Sequence, residues 1–97
     1  MGKVDCISLH GLDLWFNSSD HLPPHIHVRK RGEWEIRVSF MICTPERLEW
    51  NLKWRIKGTG PTSKEQAEIL QQVLRHRVEL YAEWEKKVSF DDTEKKR

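Results

Sequence analysis

From Leu48 to Lys57 every second residue is apolar: Leu48, Trp50, Leu52, Trp54 and Ile56 alternate with Glu49, Asn51, Lys53, Arg55 and Lys57. A period of two is the pleat of a β-strand with one face turned to a core and the other to water. The same period runs through Glu33–Met41, where Trp34, Ile36, Val38 and Phe40 alternate with Glu35, Arg37 and Ser39. Gly58-Thr59-Gly60-Pro61 ends the later strand, and Ile42–Arg47 forms a connection around Pro45.

A strand over His25–Lys30 precedes these, and the turn that joins it to the next decides which side chains share a face. A two-residue Arg31-Gly32 turn would set His27 opposite Ile36, mixing polar and apolar residues. A three-residue loop, Arg31-Gly32-Glu33, sets His27 opposite Arg37 and Arg29 opposite Glu35, with Ile26 and Val28 on the side of Ile36 and Val38. A slip of one residue flips every side chain, so the consistent solution is the odd-length loop with glycine near the left-handed position. Upstream, Ile7–Phe16 is apolar and is split by a bulge or bend at Gly11; its second half places Leu12, Leu14 and Phe16 on one face, Asp13 and Trp15 on the other. Downstream, Thr62 or Ser63 caps a helix with Glu65 or Gln66 completing a capping box. Ile69, Leu70, Val73, Leu80, Tyr81, Trp84 and Val88 make its apolar stripe.

The expected fold is α+β: a small antiparallel sheet of about four strands with one long C-terminal helix on its apolar face. Residues 1–90 form one domain, and 91–97 a charged, flexible tail. The opposite sheet face carries Asp13, Trp15, His25, His27, Arg29, Glu35, Arg37, Ser39, Glu49, Asn51, Lys53, Arg55 and Lys57.

The chemistry concentrates in Asp20-His21-Leu22-Pro23-Pro24-His25-Ile26-His27-Val28, which holds three of the five histidines. Two prolines fix their own φ and push their predecessors toward extended backbone, a stiff entry into a strand. His25 and His27, two residues apart, then project from one face. Composition sharpens this little. Lys and Arg number 17 against 15 Asp and Glu, so only a local basic face points to nucleic acid. The five tryptophans supply apolar area to a modest core. No run of eighteen apolar residues, no apolar leader and two isolated cysteines, Cys6 and Cys43, lead to the expectation of a reduced, cytoplasmic, non-membrane protein.

The run Trp15–Val28, an aromatic strand, a Ser/Asn turn, an Asp and then Pro-Pro-His-hydrophobic-His-Val, resembles the signature of a bacterial domain-of-unknown-function family, the one numbered 4160. Gly32–Val38 and the helix from His76-Arg77 to Glu83-Trp84-Glu85 are similar to it too, so the resemblance covers most of residues 5–90. It implies a small cytoplasmic prokaryotic protein, often encoded beside another small domain in an arrangement like toxin–antitoxin pairs. It carries no catalytic assignment.

Several readings of the motif stand side by side. In the first, the protein acts on or binds nucleic acid without a cofactor. His25 and His27 are its proton-transfer or contact groups, Asp20 orients one of them, and Trp15, Arg29, Arg37, Lys53 and Arg55 hold the strand. A metal-independent ribonuclease would need little more. A second reading gives His25, His27, Asp20 and His21 a divalent metal such as Zn or Mn. A third is a non-catalytic module that docks a small partner protein, the product of a neighbouring gene, and self-association stays open. The plainest is that imidazoles, aspartate and diproline only lock a strand entry.

Overall fold

The computed structural model describes residues 2–17, 23–56, 58 and 60–88. Five strands, β1 (Gly2–Lys3), β2 (Asp13–Phe16), β3 (Ile26–Lys30), β4 (Trp34–Val38) and β5 (Trp50–Arg55), form an antiparallel sheet in sequence order. Helices α1 (Ser63–Arg75) and α2 (Arg77–Lys87) follow. The α+β class is as expected. The strand count is higher by β1, which at two residues is too short to show a period and pairs with Trp15 and Phe16.

The β3–β4 hairpin has the register that polarity demanded: Arg29 faces Glu35 and His27 faces Arg37. Gly32 at φ 78° takes the left-handed turn position that a side chain would strain. Ile26, Val28, Ile36 and Val38 are thereby fully buried, and they join Phe16, Ile69, Val73, Leu80 and Trp84 in one core cluster.

Two expectations fail. The single long helix is two, interrupted at His76 (φ −114°, ψ 22°). No proline or glycine marks the break. The His76 N–H still donates to Gln72 and the Leu80 N–H to His76, so this is a one-residue kink. It lies where the Arg77 guanidinium donates to the Cys43 carbonyl, a tertiary contact that local sequence does not reveal. Within the stripe, Ile69, Val73, Leu80, Trp84 and Val88 are buried, whereas Tyr81 turns outward.

The second failure is in the last strand. Leu52 pairs with Ile36 but Trp54 pairs with Glu35, so Lys53 is an extra residue and the strand bulges. Beyond it the alternation inverts. Trp54 joins the polar face, Arg55 stands opposite Trp34, and Ile56 is 70% exposed. The sequence period ran straight through this point because an indole counts as apolar, yet its N–H needs an acceptor, and Glu35 supplies one.

The helices are fastened at both ends of the sheet. Thr62 and Glu65 form the capping box of α1, and Glu65 also takes the Lys30 ammonium at 2.7 Å. On α2, the Glu83 carboxylate accepts the N–H groups of Asp5 and Cys6, each at 2.8 Å. Lys87 bonds Glu83, Asp5 and the Lys3 carbonyl. Burial alone would raise the Glu83 carboxyl, but the Asp5 N–H, Lys87 and Cys6 outweigh it and leave it below its usual range. Burial and that same carboxylate push the Cys6 thiol up to about 12.

Replacing Glu83 by Ala strips two N–H groups of a charged acceptor and should cost about 2 kcal/mol at neutral pH. A depressed carboxyl contributes stability above its unfolded value, near 4.3, and loses it as the pH falls through the folded one. Urea titrations should therefore show the gap between wild type and Glu83→Ala narrowing as the pH falls below the ordinary carboxylate range. A gap that stays constant with falling pH would mean that the carboxylate charge is not what fastens the N-terminal segment.

Candidate functional site

Register gathers Asp13, Trp15, His27, Arg29, Glu35, Arg37 and Asn51 on the sheet face away from the core, and the bulge adds Lys53 and Trp54. Five sequence-identified residues, Trp15, His27, Arg29, Arg37 and Lys53, therefore share one surface. Arg55 does not, having crossed to the Trp34 side after the bulge. Asp20 and His21 lie outside the described residues.

The two histidines are close, with ring centroids 5.2 Å apart and edge to face, but they do not form the open pair expected. His25 precedes the first residue of β3, so strand alternation does not govern it. Its Nδ1 is 2.9 Å from the Pro23 carbonyl and its ring leans on Trp84 of α2, at 5.6 Å. His27 is only 2% exposed. Its ring stacks on its cross-strand partner Trp15, with centroids 5.3 Å apart and planes 17° from parallel.

The protonation of that ring follows from its neighbours. The Trp15 indole, which can only donate, donates to Asn17 Oδ1 at 3.1 Å. This orients the amide so that Asn17 Nδ2 points at His27 Nε2, 3.2 Å away. Nε2 is thus the acceptor, and the proton of neutral His27 sits on Nδ1, 3.8 Å from Glu35 Oε2. Glu35, 6% exposed, also accepts from Trp54 Nε1 at 3.0 Å and stands 3.6 Å from Lys53 Nζ. Asn17 and Glu35 are site residues that the sequence reading passed over. The strand parity that placed Glu35 beside Arg29 was the available signal for it. For Asn17, whose type suggested only turn chemistry, there was none.

Next to this buried row lies a charged one. Asp13 Oδ2 accepts from Arg31 Nε at 2.9 Å and from Arg29 Nη2 at 3.2 Å. Arg31 first, and then Arg29, hold the Asp13 carboxyl below its usual range against the smaller effect of burial. The Arg29 guanidinium lies 5.1 Å from the Trp15 ring centre. Arg37 is exposed, and among the described residues it makes no ion pair. Asp13, Trp15, Arg29, Glu35 and Lys53 floor an open cleft of about 870 Å³, walled on one side by the segment Val4–Leu12.

Chemically, the face offers cations to an anion more readily than it offers a base to a proton. His27 Nε2 is engaged by Asn17, Nδ1 stands 3.8 Å from Glu35 Oε2, and the ring is covered. Among the described residues no three His, Cys, Asp or Glu side chains converge as ligands for a metal ion. No described helix is long and apolar enough to cross a membrane.

His27→Ala would remove a buried ring from a stack and strip Asn17 and Glu35 of their neighbour. Thermal and urea melts should show a loss of about 3 kcal/mol. An unchanged melt would show that His27 is not locked in this way.

The sequence model of one family, described as Domain of unknown function (DUF4160), matches residues 11–85. No curated protein and no solved structure matches the chain significantly.

Proposed function

The chain belongs to the DUF4160 family, and from its polar sheet face we propose that it binds single-stranded nucleic acid without cutting it. The observation that carries this reading is the grouping of Lys3, Arg29, Arg31 and Lys53 along one cleft, with the exposed Arg37 on the same sheet face, against the three carboxylates Asp5, Asp13 and Glu35. Excess guanidinium N–H groups on an open surface suit phosphates, which give affinity without reading sequence. Binding rather than cleavage is favoured because the His27 Nε2 lone pair is taken up by Asn17 and its ring is covered. His25 is turned to Trp84 and does not line the cleft.

One observation favours a second reading, the docking of a small partner protein as in a toxin–antitoxin-like pair. Val78 and Tyr81 project from the outer side of α2, and Met41 and Ile42 lie in the loop that Arg77 ties to that helix.

Fluorescence anisotropy with labelled RNA and DNA strands of about 12 nucleotides separates these readings. A face making about three phosphate contacts should lose roughly 20-fold in affinity between about 50 and 200 mM salt. Arg37→Glu should weaken binding roughly tenfold at the lower salt with an unchanged melt. The strand should run intact on a gel afterwards. Cleaved RNA, or no binding at low salt, would sink this proposal, and the latter together with a co-purifying partner would move the function to α2.

A further inference from the structure

Within the face, the cleft has a construction that general phosphate binding does not require. We propose that it is a nucleotide pocket: one base, turned out of the strand, lies against the Val4–Leu12 wall while its phosphate rests on the Arg29–Asp13–Arg31 group. The choice of ligand rests on the nucleic-acid reading above and narrows it to single strands with an unstacked base.

The first element is the arginine pair. A single carboxylate oxygen, Asp13 Oδ2, holds both guanidiniums, taking Nε of Arg31 and the Nε and Nη2 edge of Arg29. Two like charges would otherwise repel. With one carboxylate between them they stay side by side and the group keeps a net positive charge. A guanidinium has five N–H donors, so each arginine retains donors beyond those that Asp13 uses. Arg31 has a side chain 79% exposed, yet it is tethered at Nε, which leaves both of its terminal nitrogens to the solvent side. A fork of paired guanidiniums matches a phosphate better than a point charge does.

The second element is the wall. Ile7, Leu9, Leu12 and Leu14 line the same cleft as the arginines. The Leu12 N–H donates to the Leu9 carbonyl, and Gly11, at φ 81°, makes that turn possible. Leu9 and Leu12 are only half-buried: each packs in part against the core and leaves the rest of its apolar surface toward the cleft, which Asp5 and Ser8 of the same segment also line. The Glu83 and Lys87 clamp fixes the start of the wall at Asp5 and Cys6, so it is held in place rather than loose. An apolar side facing a charged floor fits a ligand that is itself flat and apolar at one end and anionic at the other. At about 870 Å³ the cleft lies within the range of small-ligand pockets, roughly 300–1,000 Å³. A base paired inside a duplex exposes no such surface, whereas single strands offer it at every residue.

Isothermal calorimetry and amide chemical shifts with adenosine 5′-monophosphate, adenosine and inorganic phosphate test this. The monophosphate should bind roughly tenfold more tightly than either fragment, because it alone engages both ends of the cleft. Shifts should centre on residues 9–15 and 29–35. Arg31→Ala, at an exposed position, and Leu12→Asp, on the wall, should each weaken it roughly tenfold, and Arg31→Ala should leave the melt unchanged. Phosphate binding as tightly as the monophosphate, or shifts centred elsewhere, would overturn the pocket. Strands that bind while the monophosphate does not would overturn the pocket and leave the strand-binding face standing. Monophosphate binding in the cleft without strand binding would support the pocket and remove the broader reading instead.

Discussion

The parity of the β3–β4 hairpin governs nearly everything the molecule presents. With three residues in the loop, Ile26, Val28, Ile36 and Val38 enter the core, and His27, Arg29, Glu35 and Arg37 meet on the other side. One residue fewer would set imidazole against isoleucine. Gly32 permits the loop to close at positive φ, and the Glu33 N–H returns to the Lys30 carbonyl. The pairing of β2 then delivers Trp15 to His27 and Asp13 to Arg29 without further specification. A cluster drawn from three strands is in this sense decided by one turn.

Glu35 is the other organising group. A carboxylate this deeply covered has to be compensated, and it is met by an indole N–H, an ammonium and an imidazole. Two of those partners, Lys53 and Trp54, reach it together only because β5 bulges between them. The irregularity is therefore a consequence of charge burial on the polar face, and Arg55 is carried to the wrong side for any role beside His27.

The sequence made the hairpin legible because polarity and register admit a single solution there, and the capping box at Thr62 and Glu65 because its chemistry is local. What it hid was set by contacts distant along the chain. The turn of Trp54 depends on Glu35, the kink at His76 on Cys43, and the position of His25 on Trp84. Strand periodicity was extended one residue too far at His25, which lies before the pleat begins. His25 and His27 are thus close, as expected, but His27 is covered rather than open. The Asp20 and His21 expectations fall outside the described residues.

The bulge has one more effect, on the outer border of the sheet. At the opposite border, β1 has Lys87 packed against Gly2, where an added Cβ would sit 3.0 Å from that side chain. β5 is the other outermost strand and could serve as a template for a foreign strand, the usual route to edge-to-edge aggregation. The extra residue at Lys53 breaks the regular spacing of its outward N–H and C=O groups, and Lys53 and Arg55 add charge beside it. A neighbouring copy would meet a bent, cationic rim with no continuous run of bonds to copy, so the irregularity that satisfies a buried carboxylate also keeps the ribbon finite.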